Sequence, residues 1–316
     1  MAVGPEAVRW AYRLLLDREA ENDSVVDAYS HTADIPTLRN IFLNSAEYAQ
    51  RNRGANQNAT FSELASVPVQ VEASEAEIGA MMDRIAQEWR RFGETEPHWS
   101  VLTSEIYKSG NIGETIDRFY ESAQQDLGKV VNQLARAGRP TARFGKVLDF
   151  GCGVGRLSLA FAGRAEQVVG VDISPPHLRL ASERAAQRGI ANVDFVAIDA
   201  PSDLDRLSGF DLIVSLIVLQ HNPPPVMAVL LDKLLRALAP GGAAVIQMPT
   251  YLRNYRFSVA DYLSTAQPAM EMNALPQPAI FAIAARAGCH PLEVREDDYI
   301  GGLNGISQTF AFVRPA

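Results

Sequence analysis

The second half of this 316-residue sequence predicts an α/β fold: an open, mostly parallel sheet with helices on both faces. Three observations carry that expectation. From residue 145 onward, short runs rich in Val, Ile and Phe alternate with helical stretches. A glycine-rich turn joins the first such run to the first such helix. The runs also lack polar–apolar alternation, as strands buried on both faces do.

The strands are expected at 146–150, 167–171, 192–197, 210–216 and 243–248, and the helices at 154–163, 175–188, 225–238 and 276–287. The tail differs. Residues 291–297 and 306–314 read as two strands joined by a Gly-rich loop, Asp298 to Gly305, with no room for a helix, so this pair should be antiparallel.

Ahead of the α/β domain (145–316) three regions separate by texture. Residues 1–53 read as a module of short helices, with Ala7, Trp10, Ala11, Leu14 and Leu15 at helical spacing, then Leu38, Ile41, Phe42 and Tyr48. Asn44 and Ser45 could cap its last helix. Residues 54–72 are small and polar and read as a linker. Residues 73–144 form a helical cap region with two apolar stripes. One is Ile78, Met81, Met82, Ile85 and Trp89; the other runs from Ile116, Phe119 and Tyr120 through Leu127 to Leu134.

Composition sets the outer limits. Apolar residues at 47% suffice for a full core, and 21% charged residues describe an ordinary soluble protein. The net charge of -8, with no dense Lys/Arg cluster, makes nucleic acid a poor partner. Two cysteines, Cys152 and Cys289, make neither a disulfide framework nor a zinc motif, so no metal site is expected and a reducing compartment is implied. The stretch Trp10 to Leu16 is broken by Arg13, and the apolar run 212–219 is far shorter than the ~20 residues of a membrane span. The expectation is a cytoplasmic protein with no membrane span.

The chemistry concentrates at the strand ends. Val147 to Phe150 carries Asp149 and runs into Gly151, Gly153 and Gly155. Glycines allow a tight turn with no Cβ between loop and ligand, and the following helix offers free N–H groups. A dinucleotide fingerprint would need Gly or Ala at position 156, where Arg156 stands. The pattern Asp-x-Gly-x-Gly-x-Gly instead resembles motif I of the class I S-adenosylmethionine-dependent methyltransferases. The next strand ends in Asp172, about 20 residues on, the spacing of a carboxylate that binds ribose hydroxyls, and Ile173 can pack on adenine. Ser174 with Pro175 and Pro176 reads as the capped start of the following helix.

That resemblance implies a Rossmann-like, doubly wound, seven-stranded sheet with an antiparallel C-terminal hairpin, and S-adenosyl-L-methionine as cofactor. It assigns Asp149 to the ammonium, loop N–H groups beside Arg156 to the carboxylate, Asp199 to the adenine amine and the Ala200 N–H to the ring. The run from Ser215 to Gln220 and His221 resembles the family's fourth motif, which borders the sulfonium. His221 then reads either as a catalytic base or acceptor contact or as a corner residue bonded to backbone. The acceptor, a small molecule or a glycan hydroxyl, would be met by Tyr251, Arg253, Tyr255, Arg256 and Tyr262, by the loop from Tyr299 to Asn304, or by Trp99, Tyr107, Phe119 and Tyr120 of the cap. Separately, Ala11 to Glu19 and Phe42 to Tyr48 resemble a phycobilisome-linker-like helical module that accompanies enzymes of surface glycan assembly. Two rival functions stay open: a nicotinamide oxidoreductase, disfavoured by Arg156, and a non-catalytic scaffold, disfavoured by the series of strand-end acids.

Overall fold

A computed structural model describes residues 3–43, 45, 47–48, 68–266, 269–300 and 305–316. The chain divides into two compact units, Met1–Ser66 and Val67–Ala316.

In the first unit, α1 (Pro5–Leu16), α2 (Asp23–Ser30) and α3 (Ile35–Leu43) surround one small core. Pro5 opens α1, and the Asn22 side chain caps α2 by accepting from the Val25 N–H at 3.0 Å. The face of α1 that turns inward is Val8, Tyr12 and Leu16, with Tyr12 edge-on to Phe42 at 4.9 Å. Trp10 and Leu14, read from the sequence as part of the inner stripe, are 48% and 75% exposed. Several apolar residues share this short helix, and periodicity alone does not choose between neighbouring faces. The cap expected at Asn44 and most of the expected linker, 54–67, lie outside the described residues.

The second unit opens with α4 (Glu75–Thr95), a 21-residue helix started by a reciprocal Ser74–Glu77 capping box. Its inner stripe is Ile78, Met81, Met82 and Ile85, as the spacing predicts. Two further helices follow, α5 (Ile112–Glu121) and α6 (Ala123–Arg136). Then the alternation begins: β1 (Phe144–Phe150), α7 (Arg156–Phe161), β2 (Ala165–Asp172), α8 (Pro175–Gln187), β3 (Val193–Ala197), β4 (Phe210–Ser215), α9 (Pro224–Arg236) and β5 (Leu238–Leu252). A short helix α10 (Val259–Ser264), α11 (Gln277–Arg286), β6 (His290–Asp297) and β7 (Gly305–Val313) complete it.

The seven strands lie in the order β3-β2-β1-β4-β5-β7-β6. The first five are parallel, and β7 runs antiparallel to both β5 and β6. This is the expected Rossmann-like sheet with its C-terminal hairpin. One face packs on Leu230, Leu234, Ile280 and Ile283 from α9 and α11. The other packs on Leu127, Val130, Leu157 and Phe161 from α6 and α7. All parallel strands end on the same edge, so their terminal residues converge there.

The strand β5 is much longer than the expected 243–248. Its start pairs Leu238 with Phe210 before a register shift, and its end continues past Pro249 because Tyr251 and Leu252 pair with Ile306 and Gly305 of β7. Gly241 and Gly242 lie within the strand, and Pro249 sits beside a bulge, where a missing N–H is tolerated. The expected Ser174 cap also differs: Ser174 holds the cap position of α8, yet its hydroxyl donates to the Trp89 carbonyl at 3.0 Å.

Candidate functional site

At the carboxyl edge of the sheet, the chain from Gly151 to Gly155 folds back over β2. The Gly151 and Cys152 N–H groups donate to the Val171 carbonyl at 2.7 and 3.0 Å. The Gly153 N–H donates to Asp172 Oδ2 at 2.8 Å, and Ser174 N–H to Oδ1 at 2.9 Å. Asp172 therefore ties the loop to the start of α8, while each oxygen keeps a lone pair for a further donor. Gly151 and Gly153 have φ of +73° and +53°. A Cβ on Gly151 would stand 2.3 Å from Val218 Cγ1, and one on Gly153 2.6 Å from Val101 Cγ2. Bare backbone is required on both sides of this turn.

Beside the loop lies a cavity lined by Asp149, Phe150, Gly151, Cys152, Gly153, Arg156 and Leu157 from the first crossover. Asp172, Ile173 and His177 come from the second, Ile198 from the third, and Leu216, Ile217, Val218, Asn222 and Leu230 from the fourth. Met82, Ile85 and Trp89 of α4 and Ser100 and Val101 of the following turn form the opposite wall. A mostly apolar cleft with a few convergent polar groups, at the strand ends of an open sheet, is the usual form of a small-molecule site.

Asp149 is fully buried, accepts a 2.5 Å hydrogen bond from Ser158 Oγ, and has its pKa pushed up to about 6, chiefly by burial. Such a carboxyl gains from a cationic ligand group that would restore a partner to its charged form. Arg156 is buried against Asp126, with Nη2 2.5 Å from Oδ2, and its Nε has no hydrogen-bond partner. It thus combines a structural ion pair with a place on the cavity wall.

The fourth strand end is strained. Ile217 has φ +61°, a region that β-branched residues avoid at roughly 1–3 kcal/mol. Gln247 holds it there: its Oε1 accepts from the Ile217 N–H at 2.9 Å, and its Nε2 donates to Gln220 Oε1 and Ser307 Oγ. His221 follows. Its Nδ1 lies 2.9 Å from the Glu271 carbonyl, which can only accept, so Nδ1 carries the proton. Nε2 faces the Gln220 amide at 3.4 Å, and the ring packs 5.3 Å from Trp89. Burial lowers the His221 pKa, so the ring is neutral at pH 7.

The structure brings together on the cavity wall Asp149, Gly151, Gly153, Arg156, Asp172 and Ile173 of the expected cofactor set. The others stand off it. Gly155 begins α7 and packs against Phe195. Asp199 is exposed and paired with Arg90 at 2.7 Å, and the Ala200 N–H is already donated to Asp203. Ile198, not Asp199, faces the cleft. Ser215 is fully buried with a partnerless Oγ, and Gln220 is engaged with Gln247. His221 is not itself on the wall, although its neighbours Trp89 and Asn222 are.

None of the expected acceptor residues lines this cavity. Tyr107 and Tyr120 are core aromatics packed on Phe119, and the Tyr120 hydroxyl donates to the Val154 carbonyl. Tyr251 lies in β5, Tyr255 donates to Asn273 at 2.7 Å, and Tyr262 donates to Glu271 at 2.5 Å. Arg253 is half-buried and Arg256 exposed. Tyr299 donates to Asp126, and residues 301–304 lie outside the described residues. The cap residues on the wall are instead Met82, Ile85, Trp89, Ser100 and Val101. The first three were visible as a helical stripe, but only the docking of α4 over α8, α9 and α10 shows that the stripe roofs a cleft.

Comparison with known proteins agrees with this architecture. A methyltransferase domain model matches residues 147–242. The ubiquinone biosynthesis O-methyltransferase of Psychrobacter cryohalolentis is 30% identical over 203 residues, covering 62% of this chain and 72% of that protein. The enzyme of the same name from Idiomarina loihiensis is 40% identical over 99 residues, covering 31% and 39%. The chain spans only about half the length of other relatives of that name. In fold it is similar to the magnesium protoporphyrin IX methyltransferase of Synechocystis PCC 6803, solved with bound S-adenosylmethionine, at TM-score 0.51 and 20% identity over 74% of this chain and 97% of that one. Domain match, relatives and sheet topology converge: this chain belongs to the class I S-adenosylmethionine-dependent methyltransferases.

Proposed function

We propose that this protein transfers a methyl group from S-adenosylmethionine to a hydroxyl oxygen of a small-molecule acceptor, in the cytoplasm. The observation that carries the cofactor site is the cavity itself, where a buried, partner-poor carboxyl, a cradle that no Cβ could enter and a second strand-end acid converge. These residues fit the cofactor. Asp149 would take its ammonium, Arg156 its carboxylate, Asp172 its ribose hydroxyls, and Ile173 and Ile198 its adenine. When bound, the cofactor supplies a methyl group already activated on a sulfonium. The protein's own work is then to align the acceptor, shed water and receive one proton.

The names of the relatives support an oxygen acceptor. For that chemistry His221 is the residue of choice: it is neutral, its Nδ1 proton is fixed on the Glu271 carbonyl, and Nε2, which faces the Gln220 amide at 3.4 Å, is the nitrogen that would accept a proton. A second reading, in which His221 only braces the corner, is favoured by its two nitrogen contacts and by its place off the wall. Turnover of His221→Ala decides between them. The N-terminal unit, with its resemblance to a phycobilisome-linker-like module, supports a glycan hydroxyl as one acceptor class. A radiolabelled methyl-transfer assay over phenols, sugars and nucleotide sugars tests the assignment: label in an ether supports it, and label only in amines or carboxylates refutes it.

A further inference from the structure

His177 belongs to no motif and does none of the chemistry above, yet it lies on the cavity wall and is fully buried. Its Nδ1 is 2.7 Å from Ser174 Oγ; its Nε2 is 2.9 Å from Ser100 Oγ and 3.2 Å from the Pro97 carbonyl. The Ser174 hydroxyl donates its proton to the Trp89 carbonyl. The Ser100 hydroxyl likewise donates to the Pro97 carbonyl at 3.0 Å, so the imidazole bridges two serine oxygens whose own protons go to backbone carbonyls. The chain of bonds runs from α4 through α8 to the turn at 97–101.

Two contacts show what this chain of bonds holds. Where α4 crosses it, a Cβ on Gly93 would stand 2.6 Å from Ser174 Oγ and 2.7 Å from His177 Nδ1, so the helix backbone is seated directly on it. At the other end Val101, next to Ser100, covers Gly153 so closely that a Cβ there would meet it at 2.6 Å. The turn pinned by His177 is therefore the turn that lies on the glycine loop. Its base is anchored separately, through His98 edge-on to Phe119 at 5.1 Å. Breaking the Ser100–His177 bond removes the side-chain tie between this turn and α8, while the Ser100 and Val101 N–H bonds to the Glu96 and His98 carbonyls remain.

We propose that His177 is a positioning residue that latches the 97–101 turn over the glycine loop and so governs how fast the adenosyl ligand leaves the cavity. The proposal rests on the cavity being the cofactor's site. A latch acts mainly on dissociation, because a bound ligand must wait for the cap to open. In many enzymes that step limits turnover.

The test is stopped-flow binding of adenosylhomocysteine to the full-length protein, read by tryptophan fluorescence, since Trp89 lines the cavity. Two variants are compared with the parent: Ser100→Ala, which keeps the imidazole, and His177→Gln. Losing this one hydrogen bond should raise the dissociation rate about tenfold in Ser100→Ala, with association changed less than about threefold. The KM for the cofactor should rise by a larger factor than kcat changes, and the melting temperature without ligand should fall by no more than about 2–4 °C, the effect of losing one hydrogen bond in a domain of this size. If His177→Gln fails to fold, Ser100→Ala carries the test alone. A dissociation rate within twofold of the parent's in a folded variant overturns the latch. So does a loss of thermal stability with no selective change in dissociation. If the parent itself does not bind adenosylhomocysteine, the cofactor-site reading fails first, and the latch with it.

Discussion

Asp149 is the residue whose behaviour says most about the site. Burial holds its carboxyl at about pH 6, above the ~3.9 of an unfolded chain. The folded state therefore binds the extra proton between those values, and stability falls as pH rises from about 4 through 6. Ligand affinity has the opposite sign, because a cationic ammonium favours the ionised carboxylate. Adenosylhomocysteine should bind progressively more weakly as pH is lowered through 6, by calorimetry, and Asp149→Asn should bind weakly with that slope removed. For His221, whose pKa burial also lowers, His221→Ala should reduce turnover more than tenfold while adenosylhomocysteine affinity stays within twofold. In the parent enzyme the acid limb of kcat should fall below the 6.5 of a free imidazole. Unchanged turnover assigns His221 to bracing. At this scale Asp149 and Asp172 were legible because a strand must end where they stand. Asp199 was not: a strand-end acid can face the cleft or solvent, and Arg90, 109 residues earlier in the chain, draws it outward. His177 had no signature, since its partners are distant in sequence.

Among elements, the glycine turn and the fourth strand end are the rigid parts of the site. Gly151→Ala would place a methyl group into Val218 at a left-handed φ, so it should destabilise the fold by about 1–3 kcal/mol in urea unfolding and abolish ligand binding. A variant as stable as the parent would show that the turn yields to a side chain. Gln247→Met keeps the volume but removes the acceptor that holds Ile217 at positive φ. It should lower stability by about 1 kcal/mol, the contribution of a part-buried hydrogen bond. The centres of β1 to β4 and of α8, α9 and α11 could be read from periodicity. The full length of β5 could not, because its end is fixed by pairing with β7, some 55 residues later. The stripe of α4 gave the helix but not its office as a roof, since one face serves core and cleft together.

For the molecule as a whole, the division at Ser66 and Val67 leaves the entire sheet and cavity in the second unit. Residues 67–316 expressed alone should therefore unfold cooperatively and bind adenosylhomocysteine within about threefold of the full-length affinity, a difference of under 1 kcal/mol. A fragment that folds but does not bind would make the N-terminal unit part of the site. Fold class was legible because strands, turn and acids recur in one order. The acceptor was not, because the aromatic residues that suggested it are spent on core packing and on bonds such as Tyr255–Asn273. The central claim is that an adenosyl ligand occupies the cavity walled by the glycine loop and Asp172. Isothermal titration of the full-length protein and its Asp172→Asn variant tests this directly. Stoichiometric binding of adenosylhomocysteine by the parent, weakened at least tenfold in the variant with NAD inert toward both, is the predicted result; equal binding by the two proteins, or binding of NAD alone, would contradict it.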